Sequence, residues 1–148
     1  GEQSSRGVEF ELFWLPIDVF SIEFNLALSE PEYEEFVSGS TDYSGNTPRN
    51  LPETTANLWL TWKLSPAWSL AGGVRYVGER YLDDANTREL PNYTVFDATL
   101  QWQASDSLRL SLRGKNLGDS EDYVLAPYGN QWVLADGRSV EVGLHYGF

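Results

Sequence analysis

Apolar and polar residues alternate with a period of two along most of the chain, which predicts β-strands. Val8, Phe10, Leu12 and Trp14 share one face, opposite Glu9 and Glu11. Phe20, Ile22, Phe24, Leu26 and Leu28 then stand against Ser21, Glu23, Asn25, Ala27 and Ser29. A third segment sets Ala56, Leu58, Leu60 and Trp62 against Asn57, Thr61 and Lys63, with Trp59 out of pattern on the polar side. From Trp68 onward, Leu70, Val74 and Tyr76 oppose Arg75 and several small residues. Phe96, Ala98, Leu100 and Trp102 oppose Asp97, Thr99 and Gln101, and Leu108, Leu110 and Leu112 oppose Arg109, Ser111 and Arg113. The last segment places Val140, Val142, Leu144, Tyr146 and Phe148 opposite Glu141, Gly143 and His145. Helical spacings of three and four are missing from these segments, so about seven strands are expected.

The connections alternate in length. Leu15-Pro16-Ile17-Asp18, Leu64-Ser65-Pro66-Ala67 and residues 103–107 are tight turns built on Pro, Asp and Ser. Residues 30–52, 78–92 and 117–136 are long and polar, and they hold most of the acid, including Glu30, Glu32, Glu34, Glu35, Asp83, Asp84, Asp119, Glu121 and Asp122. Short turns on one side and long loops on the other are expected of an outer-membrane β-barrel, with its periplasmic and extracellular ends. Trp14, Phe20, Trp62, Trp68 and Trp102 all lie near the short turns, as an interfacial aromatic girdle would place them.

Composition agrees with this reading. Aromatics reach 14%, with six Trp, eight Tyr and seven Phe, yet the formal net charge is −12 and mean hydropathy is below zero. A barrel wall shows its aromatics to lipid while lumen and loops stay polar. No apolar run is long enough for a transmembrane helix. No basic n-region precedes an apolar stretch, so the chain is expected to be mature or to lack its beginning. Cysteine is absent, which removes disulfides and thiolate metal sites. Acid outnumbers base by 22 to 10, so nucleic acid is not an expected partner.

The expected fold class is therefore all-β, an antiparallel transmembrane β-barrel segment of about seven meandering strands. Two other readings stay open at this point. A small self-contained outer-membrane barrel with an adhesin or structural role needs an eighth strand, taken from residues 30–52 or 117–136. A soluble β-sandwich or lipocalin-like binding module also carries alternating strands.

No catalytic constellation is expected. His145 is the one histidine; it alternates onto the polar face and has no second His or Cys for a metal site. Glu34-Glu35 and Asp83-Asp84 read as solvated loop acid before they read as an acid–base pair or a calcium site. The G-x-S-x-G, P-loop and G-x-G-x-x-G motifs are all missing. Gly72-Gly73 lies inside a strand, where a bulge, a bend or close packing accounts for it. No metal or cofactor is expected.

The terminal run Val140-x-Val142-x-Leu144-x-Tyr146-x-Phe148 resembles the C-terminal signal that the barrel assembly machinery reads in outer-membrane proteins. Thr47-Pro48-Arg49-Asn50-Leu51-Pro52 with Ala56-Asn57-Leu58-Trp59 resembles a late barrel strand of TonB-dependent siderophore receptors. Residues 72–81 and 90–97 are similar to the next part of that family. Lys115-Asn116-Leu117 with Asp119 and Tyr123 resembles its Asn-Leu-Phe-Asp…Tyr element, although Gly118 stands where Phe is usual. Gly137-Arg138-Ser139-Val140 resembles the start of its final strand, with Ala135-Asp136-Gly137-Arg138 in place of Gly-Glu-Pro-Arg.

The resemblance implies that residues 1–148 are the C-terminal part of a barrel of about 22 strands, with the plug domain absent from this chain. It implies outer-membrane lipid, a ferric siderophore or similar scarce solute such as a cobalamin or glycan, and TonB, through missing N-terminal regions, as partners. The setting it implies is the outer membrane of a Gram-negative bacterium. It also implies ligand contacts from Arg, Tyr, Trp and Gln at the upper lumen and loops. Arg75, Tyr81, Tyr128 and Trp132 are the candidates here. The plain competing role for Arg75 is a pair with Asp97 or Glu141, and for the loop tyrosines it is packing on each other.

Overall fold

The computed structural model describes residues 1–121, 123–128 and 131–147, and the side chains of those residues except 124–128, 131 and 132. Seven long strands make one sheet: β1 (Glu2–Ile17), β2 (Phe20–Glu35), β5 (Thr54–Ser65), β6 (Trp68–Val77), β9 (Tyr93–Gln103), β10 (Leu108–Lys115) and β13 (Ser139–Tyr146). They pair in chain order as an antiparallel meander. Three small ribbons stand apart from the sheet, inside the long connections. They are β3 (Val37–Ser38) with β4 (Thr41–Asp42), β7 (Arg80–Tyr81) with β8 (Glu89–Leu90), and β11 (Val124–Tyr128) with β12 (Gln131–Leu134).

The register explains why the pattern folds this way. One row across the sheet reads Phe20–Trp62–Leu70–Leu100–Leu112–Val142, and another reads Leu12–Phe24–Leu58–Val74–Phe96. Both hold only apolar residues. Rows of the opposite parity face the other way and read Ser21–Thr61–Ala71–Thr99–Arg113–Glu141 and Glu11–Asn25–Asn57–Arg75–Val95. A slip of one residue anywhere would send a whole strand's charges to the apolar side.

That apolar side is open. Phe10, Trp14, Phe96, Leu112, Val140, Val142, Leu144 and Tyr146 are all exposed. In water such a face would be untenable; against hydrocarbon it is what a barrel wall presents. Among the described residues no second sheet lies over it, so the sandwich reading is set aside. Trp68 and Trp102 stack at 5.4 Å near the short turns, at the girdle position. From Trp68 to Tyr76 the strand rises about 27 Å, or about 21 Å of height at a tilt near 40°, close to the apolar band of such barrels.

β1 and β2 run further than the alternation suggested. β2 continues to Glu35 and pairs Arg6 with Glu30, Ser4 with Glu32 and Gln3 with Tyr33. This upper ribbon begins where the apolar row stops at Leu28, so both of its faces are polar and it stands above the lipid. Among the described residues, β1 and β13 are the two edges of the sheet and do not pair with each other. The eighth strand of a small closed barrel is thus not present: residues 30–52 and 117–136 supply β3–β4 and β11–β12, which stay outside the sheet. Unpaired edge groups cannot persist in hydrocarbon, so this wall requires further strands on both sides.

The polar face is concave. Trp59 stands out of pattern there because its indole lies on Gly73, its cross-strand neighbour. Pairing through Gly72 and Gly73 is unbroken, so close packing, rather than a bulge, is why that glycine is small. The buried apolar residues sit higher up: Leu82, Leu90, Tyr93 and Val95 are buried among the loops and the upper end of β9.

Candidate functional site

The concave face and the loop after β10 enclose a cavity of about 890 Å³. Its wall side is Trp59, Thr61, Arg75, Val95, Asp97, Thr99, Gln101, Arg113, Lys115 and Glu141, all from the polar rows, and its upper side is Tyr123 with residues 134–137.

Asn116 fixes the loop. It is 2% exposed and adopts φ 46, a left-handed conformation that asparagine tolerates better than most residues. Its backbone N–H donates to Asp97 Oδ1 at 2.8 Å, its Oδ1 accepts Ser120 N–H at 2.9 Å, and its Nδ2 donates to the Ser120 and Asp136 carbonyls at 3.3 and 3.4 Å. Asp119, also at positive φ, accepts the Arg138 N–H at 2.8 Å and pairs with its guanidinium at 3.8 Å. Leu117 N–H donates to Phe96 O at 2.8 Å. The Asn116-Leu117-x-Asp119 element therefore pins both feet of the loop to the rim of the wall. At Gly118, where that element usually has Phe, the Phe96 ring lies 3.3 Å from where a Cβ would stand.

Tyr123 carries the loop inward. Its ring lies 4.9 Å from that of Tyr93, and its hydroxyl accepts a 2.9 Å hydrogen bond from Arg75 Nη2. The Arg75 guanidinium carbon is 5.3 Å from the ring centroid, near the hydroxyl end, so the hydrogen bond is the main contact. Arg75 does not take up either acid that the sequence offered it. Asp97 accepts from Asn116, and Glu141 binds Lys115 at 2.6 Å and Arg113 at 3.7 Å.

A second group of loops is tied together above the wall. Asn86 accepts from Thr47 N–H and donates to Thr47 O, both at 2.8 Å. Asp84 accepts from Tyr33 Oη at 2.8 Å and faces Arg49 at 3.7 Å, while its carbonyl accepts from Asn46 Nδ2 at 2.7 Å. Asn50, at positive φ, accepts from Arg80 Nη1 at 3.0 Å, and its N–H donates to Tyr81 O at 2.8 Å. Arg80 is buried, 5.5 Å from the Tyr93 centroid, and burial pushes its pKa below the ordinary value, with Tyr93 acting the other way. Burial alone would raise the Asp83 carboxyl, but hydrogen bonds from Thr87 N–H, Thr87 Oγ1 and Arg88 outweigh it and hold the group below the usual carboxylate range.

Of the four contact candidates, Arg75 lines the large cavity and Tyr81 lines a separate one of about 320 Å³ with Glu53, Glu79 and Glu89. The side chains of Tyr128 and Trp132 lie outside the described residues. Val140, Val142, Leu144 and Tyr146 share the exposed apolar face, and Phe148 lies outside the described residues. Tyr33 and Tyr43 pack on Phe36 between them. Tyr123, by contrast, packs on Tyr93 and binds Arg75. Sequence reasoning did not choose Asn116, Asp97 or Tyr123 as site residues. The Asn-Leu…Asp…Tyr spacing marked the element, but its partners Asp97 and Arg75 come from other strands.

An open meander with an apolar outer face, a girdle at its short turns and a polar concave face defines a wall segment of an outer-membrane β-barrel. A family model described as "TonB dependent receptor-like, beta-barrel" matches residues 1–117, and the chain belongs to that family. The family is one of receptors and transporters, and its setting is the Gram-negative outer membrane. The chain is 29% identical over 155 residues to the ferrioxamine receptor of Yersinia enterocolitica, covering 100% of this chain and 21% of that protein. It is 31% identical over 121 residues to the ferrichrome outer membrane transporter/phage receptor of Escherichia coli, covering 79% of this chain and 15% of that protein. The crystal structure of the siderophore receptor PiuA from Acinetobacter baumannii superposes with a TM-score of 0.85 at 25% identity, over 97% of this chain and 22% of that one. The chain thus spans about a fifth of the length of the relatives it matches.

Proposed function

We propose that residues 1–148 are the C-terminal part of the barrel of a receptor that takes up a ferric siderophore under TonB control. The observation that carries this reading is the register itself: in a chain of this family, the seven-stranded sheet gathers its apolar rows on the outer face and nearly all of its charged and polar residues on the inner wall. Relatives named for ferrioxamine and ferrichrome support the substrate class. In this reading the chain supplies wall and vestibule. The plug domain and the segment that meets TonB belong to parts of the receptor outside residues 1–148. Arg75, Tyr81, Tyr128 and Trp132 contribute to ligand capture, with Arg75 the best placed because it lines the larger cavity. Val140, Val142, Leu144, Tyr146 and Phe148 serve as the strand read by the barrel assembly machinery.

The test is uptake of radioactive iron by cells producing the whole receptor that carries this segment. Ferric ferrioxamine B and ferrichrome are supplied separately, in strains with and without TonB. Accumulation of at least one chelate that needs both the receptor and TonB is the expected result. Uptake indifferent to TonB, or none with either hydroxamate while a cobalamin or glycan is taken up, would overturn the assignment.

A further inference from the structure

Arg75 is a cation held by a neutral group. Its Nη2 donates to the Tyr123 phenol at 2.9 Å, and its Nε is shielded from solvent with no hydrogen-bond partner among the described residues. The nearby carboxylates are engaged elsewhere, Asp97 by the Asn116 N–H and Glu141 by Lys115 and Arg113. The guanidinium borders the cavity of about 890 Å³. The bond to the phenol is already charge-assisted through its donor, but an anionic oxygen adds an attraction between opposite charges that a neutral phenol lacks. An arriving carboxylate or other anionic oxygen therefore has reason to displace the phenol.

We propose that Arg75 is a subsite for an anionic oxygen of the ligand, and that the Tyr123 hydroxyl occupies it as a stand-in until the ligand displaces it. This rests on the proposed receptor role and names the chemistry that its inner wall selects. The exchange has a mechanical consequence. The loop is pinned at Asn116, Asp119 and Arg138, whereas Tyr123 is held by Arg75 and by the Tyr93 ring alone among the described side chains. Filling the subsite removes one of those two holds. The Ala135 N–H, which donates to Tyr123 O at 2.9 Å, reports the change.

The experiment uses the whole receptor in detergent micelles and two substitutions, Tyr123→Phe and Arg75→Gln. The first keeps the ring and removes the hydroxyl acceptor. The second keeps a similar length and removes the charge. Hydrogen exchange at Ala135 is followed while acetate is titrated against chloride at fixed ionic strength. Acetate should speed exchange several-fold in the unsubstituted receptor and leave Arg75→Gln unchanged. Binding of ferrioxamine B and of its succinylated, carboxylate-bearing derivative is then compared. Tyr123→Phe should tighten binding of the carboxylate form about threefold or more, and Arg75→Gln should weaken it about tenfold, as loss of one charge-assisted bond implies. Acetate having no effect on Ala135, or both substitutions weakening binding alike, would overturn the subsite. If neither chelate binds the unsubstituted receptor while acetate still acts through Arg75, the siderophore assignment fails and the subsite stands.

Discussion

Replacing Val142 by Arg tests the orientation on which the whole reading depends. Val142 is 79% exposed on the apolar face, paired with Leu112 across β10 and β13. It lies four residues above Tyr146, which is about 14 Å along the strand and about 10 Å in height at a tilt near 40°. That is close to half of an apolar band about 25 Å tall, so the new guanidinium meets the middle of the hydrocarbon and should cost about 2–4 kcal/mol. Leu144→Arg is two residues nearer the girdle and should cost less, and Tyr146→Arg, at the interface, about 0–1 kcal/mol. Leu110, paired with Leu144 and with girdle residue Trp102, should behave like Leu144. Arg109→Ala, facing the lumen, removes a 2.9 Å bond to Gln103 and should cost under about 1 kcal/mol. The assay is a reversible denaturant titration of the whole receptor in lipid vesicles, with midpoints converted through a common slope. A flat series over 142, 144 and 146, or an Arg109→Ala loss equal to that of Val142→Arg, would refute the facing.

Three other outcomes are expected. Asn116→Ala leaves Ser120 N–H and two carbonyls without their partner and puts alanine at a positive φ, so residues 117–138 should lose about 1–3 kcal/mol of local stability, read as faster hydrogen exchange or proteolysis while the strands keep theirs. Gly73→Val drives a side chain into the Trp59 indole and should cost about 1–3 kcal/mol, and Trp59→Ala in the same chain should recover part of it in a double-mutant cycle. The Asp83 carboxyl is held below its unfolded value, so its contribution is complete above about pH 4, the unfolded range, and fades as pH falls through the lower folded value. Exchange at the Thr87 N–H, corrected for its intrinsic pH dependence, should therefore rise below that range, and Asp83→Asn should flatten the profile.

The strands were legible because lipid and lumen impose opposite demands on successive residues, and the two-residue period records both. Trp59 broke that period for a reason no linear reading holds, since its neighbour Gly73 belongs to another strand. The extension of β1 and β2 leaves no alternating signature, because Ser29 to Glu35 stand above the lipid, where neither face needs to be apolar. Among site residues, parity and height on the inner wall single out Arg75. Its partner carries no comparable mark, because Tyr123 reaches it across 48 residues of chain. Asn116 is marked in the sequence by the Asn-Leu…Asp…Tyr spacing, but its burial and its link to Asp97 belong to the folded chain alone.

The paired ties between the loops following β2 and β6 bear on protein engineering. Asn86 grips Thr47 from both sides, and Asp84 holds Tyr33 and Asn46. A graft that exchanges one of these loops with that of a relative strands half of each bond in a partly buried place. Chimaeras meant to retune what the receptor accepts should transplant residues 36–53 and 78–92 as a set, together with Tyr33.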